Sequence, residues 1–114
     1  MDLTRSDGVL VCRARVASSF VARLRGLMGV ALLPAGSGVL FPHTSSVHTH
    51  FMRFPIDVVF LDAEHRVVAV RPALRPWRFA AARGASTVLE LAAGECERLD
   101  VAEGDVLVAS DATP

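Results

Sequence analysis

The sequence predicts a small, mainly β domain: an antiparallel sandwich or partly open barrel with one short α-helix. Three observations lead there. Six or seven short apolar runs follow one another, several alternating with polar residues at the period of a strand. Tight-turn residues separate them, and one pair reads as an antiparallel hairpin. Only one stretch places its apolar residues at helical spacing.

Residues 9–17 alternate, with Cys12, Ala14 and Val16 on one side and Arg13 and Arg15 on the other, as a half-solvated strand does. "SSFVARLRGLMG" then offers Ser18 or Ser19 as N-cap, Phe20, Leu24 and Leu27 on one helical face, and Gly26 or Gly29 as the stop. "LLPAGSG" is a loop by composition, "VLF" (39–41) a short strand, and "PHTSS" a turn. "VHTHFM" alternates until Pro55 interrupts it. "IDVVFLD" follows, and "AEH" turns the chain into "RVVAV" (66–70), which pairs 56–61 with 66–70. Residues 71–85, with two prolines and no alternation, read as a long surface connection. "STVLELAAG" (86–94) is a strand ending at Gly94, "ECERL" is one helical turn, and "EGDVLVAS" (103–110) is a turn into the last strand.

Composition bounds the function. The 114 residues fit one domain, 1–114, and 52% hydrophobic content is enough for a real core at that length. Twelve basic residues, all Arg, balance twelve acids, so no global field steers the chain toward nucleic acid or an anionic membrane. The absence of Lys excludes a Schiff base and a Walker-type phosphate lysine. No GxGxxG, P-loop or GxSxG occurs, so no cofactor and no catalytic residue is read from the sequence. No apolar run reaches membrane-spanning length, and the acidic start "MDLTRSDG" reads against a secretory leader; the expected location is the cytoplasm. Cys12 and Cys96 fit no CxxC pattern and read as free, buried thiols. The sequence sets no oligomeric state.

Asp57 is the anomaly. In a strand from Ile56 it shares a face with Val59 and Leu61, and both faces look buried. A carboxylate there needs donors or a cation, and Arg15, Arg25 and Arg53 are the candidate cations. It can act as a general base or accept backbone N–H groups to fix a turn; with no second catalytic group visible, the architectural role is preferred. His48 and His50, two apart on a strand, project together as a metal pair does. A third ligand would come from His43, Asp57 or Cys96, while Met52 on the same face suggests a soft copper site. The bland alternative makes both histidines rim residues.

"RPALRPWRFAAAR" sets Arg71, Arg75, Arg78 and Arg83 around Trp77 without an acid, leaving the rest of the chain four charges negative. Arg with an aromatic suits an anion or a partner protein; Trp77 is otherwise a lid plugging the core. Arg25 ends the helix or clamps a carboxylate, and Glu90 is a second inward acid for which Arg25 is the expected partner.

"RLRGLMG", "GVLF", "FPIDVVFLDAEHRVVAV", "VLELAAG" and "EGDVL" occur in an order that resembles the domain-of-unknown-function 192 family, over roughly residues 8–108. The resemblance implies a compact β-rich domain with no established activity. Many members carry Trp-Met where this chain has His48-Thr49, which makes "HTHFM" a subgroup trait. The turn before "RVVAV" usually holds Gly in that family, whereas Glu64-His65 here implies a longer or strained turn. The combined expectation is a non-enzymatic domain. Its cleft, lined by Arg25, His48, His50, Asp57, Trp77 and Glu90, would take a small molecule or protein segment, with no nucleic acid. A metal-dependent hydrolase using His48 and His50, and a structural subunit of an envelope or secretion assembly, are the alternatives.

Overall fold

A computed structural model describes residues 1–17, 33–50 and 52–110. Within these residues nine strands run in chain order: β1 (Asp2–Arg5), β2 (Leu10–Val16), β3 (Ser37–Pro42), β4 (Ser46–His48), β5 (Ile56–Leu61), β6 (Val67–Leu74), β7 (Phe79–Ala81), β8 (Thr87–Ala92) and β9 (Leu107–Ser110). Among the described residues one short helix, α1 (Glu95–Leu99), lies between β8 and β9. Seven strands form one sheet in the order β6-β5-β8-β3-β2-β1-β9, and β4 and β7 form a second, two-stranded sheet. The mainly β class expected from the sequence is what the chain adopts. Every pairing is antiparallel except β2 with β3.

The large sheet curls without closing into a barrel. A single bridge, Arg66 to Val106, links the chain just outside its two end strands. Curling makes the two faces unequal. One face gathers Leu40, Val59, Leu61, Leu89 and Leu91 with Leu3 and Leu107 from the far strands. The other gathers Val39, Phe41, Ile56, Val58, Phe60 and Val88, and the small sheet packs on it through Val47 and Ala80. Strand β5 sits between the two cores, so all six of its residues are buried, Asp57 included. A near-continuous apolar run is what a strand covered on both sides requires.

The expected 56–61/66–70 hairpin is present, with β6 extended to Leu74. Its turn is tied by the Asp62 side chain, which accepts from the backbone N–H groups of Glu64 and Arg66. His65 takes φ 61° there, the left-handed strain that the missing glycine implied. Residues 71–85 are not the plain surface connection that was read: β7 lies within them and pairs with β4. Strand β1 was not anticipated either. The helix expected from Ser18 to Gly29 lies outside the described residues, while the turn read in "ECERL" is α1. Among the described residues no helix is long and apolar enough to cross a membrane.

Candidate functional site

Asp57 sits on the inner side of the curl and is fully buried. One carboxylate oxygen accepts from the backbone N–H of Ala73 at 2.8 Å, the other from Gly94 at 3.1 Å and Cys96 at 2.9 Å. Three separate segments therefore end on one side chain: β5 itself, the far end of β6, and the turn that opens α1. Two of the donors belong to residues around the start of α1, where backbone N–H groups lack intrahelical partners. Ala73 stands at φ 49°, a conformation unfavourable for a residue with a Cβ, and its N–H bond to Asp57 helps hold it there. The cations weighed for this acid, Arg15 and Arg53, are not its ion-pair partners; the backbone supplies the donors instead. Arg25 lies outside the described residues.

This bonding leaves a mark on a neighbour. Burial first, then the adjacent Asp57 carboxylate, pushes the Cys96 thiol up to about 12. Burial chiefly does the same to Cys12, also up to about 12. Both cysteines are free and buried. Protonated thiols of this kind are poor nucleophiles and poor metal ligands.

The second polar locus lies on the opposite side of the large sheet, around the small sheet. Val47 and Thr49 are buried while His50 is exposed, so the chain leaving β4 turns its alternate residues inward and outward. Thr49 is the peg. Its hydroxyl donates to the Arg75 carbonyl at 2.6 Å and accepts from the Arg78 N–H at 2.8 Å. Its own N–H donates to the Arg78 carbonyl, and its carbonyl accepts from Trp77 and Met52. One small buried residue thus fixes residues 75–78, with Trp77 at φ 64°.

The result is a string of rings at the surface. The His48 and His50 rings meet edge-on with centroids 5.0 Å apart. His50 meets Trp77 in the same way at 5.3 Å. Phe79 lies opposite His48 in the β4–β7 register, on the same face of the small sheet. Trp77 is 57% exposed and Phe79 67% exposed, so Trp77 does not plug the core. Edge-to-face contact is a favoured geometry for such rings and fixes their mutual positions.

The six residues expected to line one cleft therefore separate. His48, His50 and Trp77 converge. Asp57 lies across the sheet from them, locked by backbone donors. Glu90 is buried, 2% exposed, with Val39 and Val58 as its cross-strand neighbours, on the sheet face opposite to the one Asp57 faces. Arg25, its expected partner, is outside the described residues. Among those residues no group of three His, Cys, Asp or Glu side chains is placed to hold a metal ion.

Sequence reasoning missed Thr49 and Phe79. Thr49 was legible in principle, because it shares strand parity with the apolar Val47. Phe79 was hidden by the reading of 71–85 as loop.

The comparisons agree with this architecture. The chain matches the DUF192 family, described as Uncharacterized ACR, COG1430, over residues 2–109. A UPF0127 protein of Thermococcus sibiricus is 35% identical over 102 residues, covering 82% of this chain and 63% of that protein. The chain thus spans less than two thirds of the length of that relative. The UPF0127 protein PF1050 of Pyrococcus furiosus is 37% identical over 115 residues, covering 94% of each. A crystal structure of a protein of unknown function from Novosphingobium aromaticivorans superposes with a TM-score of 0.80 at 23% identity, covering 95% of this chain and 82% of that one. By the extent of these matches, the chain belongs to the DUF192 family.

Proposed function

We propose that this chain is a non-enzymatic binding or accessory domain of the cytoplasm. Its contact surface is the ring string His48–His50–Trp77–Phe79, and it takes a small ligand or a protein segment. The observation that carries this reading is the presentation of Trp77. A residue of that size at positive φ costs backbone energy, on the order of 1–3 kcal/mol, and the fold retains it with its ring more than half exposed. The Thr49 bonds hold the backbone of this turn, and the exposed indole they present supports a contact surface there. Trp, together with Arg, is also a residue type on which binding energy concentrates.

Thermal-shift screening of the full chain against metals, sugars, nucleotides and amino acids tests the reading. A ligand that stabilises the wild type and fails to stabilise Trp77→Ala supports it. A ligand that stabilises both equally contradicts it.

A second reading rests on the 5.0 Å approach of the His48 and His50 rings, which suits a metal pair completed by ligands from elsewhere. Metal analysis of protein purified without a histidine tag, after supplementation, decides it. Bound metal lost in His48→Ala favours this reading, and an empty protein retires it.

A further inference from the structure

We propose that the partner of the ring string is an extended acidic peptide segment, whose carboxylates pair with Arg75 and Arg78 while its apolar residues lie on the Trp77 and His50 rings. The proposal rests on the binding reading above and names the partner's chemistry.

The observation that carries it is how charge is distributed on a chain of zero net charge. Ten of the twelve arginines fall in two stretches, 8–56 and 65–89, that contain no Asp or Glu at all. All four histidines fall there too. The ring string is assembled from these two stretches alone, His48 and His50 from the first and Trp77 and Phe79 from the second. The acids lie at the N-terminus, at Asp57, in the β5–β6 turn, and from Glu90 onward.

Pairing follows this division only in part, since Arg13, inside the first stretch, also meets an acid. Arg5 binds Asp7 at 2.9 Å, Arg13 lies 3.6 Å from Asp2, and Arg98 binds Glu95 at 2.6 Å. By contrast Arg53, Arg71, Arg75 and Arg78 are exposed and make no ion pair among the described residues. The Arg78 guanidinium reaches the carbonyl of Trp77. Arg75 and Arg78 flank Trp77 in the turn that Thr49 fixes, so two exposed arginines with no carboxylate partner among the described residues neighbour an exposed tryptophan in the chain. Guanidinium forks match carboxylates in geometry, and a fixed turn reduces the ordering cost of using them.

Phosphate-bearing partners fit less well. Nucleic-acid affinity grows with the number of phosphates neutralised. Here the cations beside the rings are few, and the acidic remainder of the surface repels a long polyanion. An extended peptide needs only a short track of alternating carboxylate and apolar contacts.

Trp77 is the chain's one tryptophan, so its emission reports the surface directly. The full chain is titrated with a synthetic Glu-Pro repeat peptide, a matched Gln-Pro repeat, oligo-dT, and phosphatidylserine vesicles. The expected result is a saturable change with the Glu-Pro peptide. It weakens roughly tenfold for the Gln-Pro peptide and for Arg75→Ala/Arg78→Ala, and it weakens with added salt. Unchanged thermal unfolding of the double variant shows that the loss is not misfolding; should it unfold, charge-matched Arg75→Lys/Arg78→Lys replaces it and is expected to retain partial binding. Equal response to both peptides overturns the acidic partner and leaves the ring string as a binding surface. Tighter response to oligo-dT or vesicles also overturns it, in favour of those partners. No response to any probe defeats the acidic partner and the ring-string reading together.

Discussion

Two polar loci of this domain use opposite strategies. At Asp57 a charged side chain is buried and meets three backbone N–H groups from two segments. Around Thr49 a small hydroxyl is buried and large rings are turned outward. In the first, the polar capacity is largely spent on the chain's own backbone. In the second, internal hydrogen bonds hold Trp77 in an unfavourable backbone conformation while its indole stays exposed. Burial of a polar group is thus a poor guide to function when its partners are complete. Exposure of an apolar group that the fold actively holds in place is a better one.

The comparison breaks first, and with the largest effect, at Asp57. Asp57→Ala leaves the N–H groups of Ala73, Gly94 and Cys96 without their acceptor, the last of them buried. Each such loss costs about 1–3 kcal/mol, and we expect about 3–5 kcal/mol in total because the three are coupled. Chemical denaturation measures it. Asp57→Asn keeps one acceptor oxygen and is expected to cost less.

Thr49→Val tests the other locus at nearly equal volume. It removes the bonds to Arg75 and Arg78, for an expected loss of about 1–3 kcal/mol, with a shift in Trp77 emission as the turn relaxes. Thr49→Ser should restore both. If Asp57→Ala shifted that emission as much as Thr49→Val, the two loci would not be separate.

Gly38→Ala probes how tightly the Asp57 side is packed. A Cβ at Gly38 would stand 2.9 Å from Cys12 Sγ and 3.0 Å from Leu91 Cδ2. Overpacking of that kind costs about 1–3 kcal/mol, read as a lowered midpoint with unchanged slope.

The smallest effects concern the thiols. A thiol raised to about 12 in the folded state remains protonated where the unfolded chain has already released its proton. Between pH ~9 and ~12 the native state therefore binds more protons, and stability falls as pH rises through that window. Below it the contribution is fully present. Replacing the Asp57 carboxylate by an amide in Asp57→Asn should lower the Cys96 thiol and leave Cys12 nearly unmoved. Site-resolved alkylation against pH reads both.

Much of the frame was legible in the residues. β5 and β8 are almost wholly apolar runs, β3 carries the apolar 39–41, and the β5–β6 pairing follows from their proximity. That Asp57 needed donors was legible too, because a strand's parity places it beside Val59 and Leu61. Which donors they are was not, since Ala73, Gly94 and Cys96 arrive from distant segments and contribute backbone that no side-chain pattern records. Strand β7 was missed because three residues between Arg and Pro signals carry no periodicity of their own. Its pairing with β4 is a tertiary event. The left-handed backbone at Ala73 and Trp77 was equally hidden, for neither residue type announces it. The ring string depended on both, so the sequence could pair His48 with His50 and group Trp77 with them, but it grouped Asp57 and Glu90 there as well and left out Phe79.

Amide hydrogen exchange resolved at Ala73, Gly94 and Cys96 tests the central contrast most directly. The account predicts that these three N–H groups exchange only with global unfolding in the wild type, remain protected when the ring string is occupied, and lose protection together in Asp57→Ala. Fast exchange at any of them in the native protein, or a selective change there on ligand binding, would contradict it and make the buried carboxylate part of the working surface.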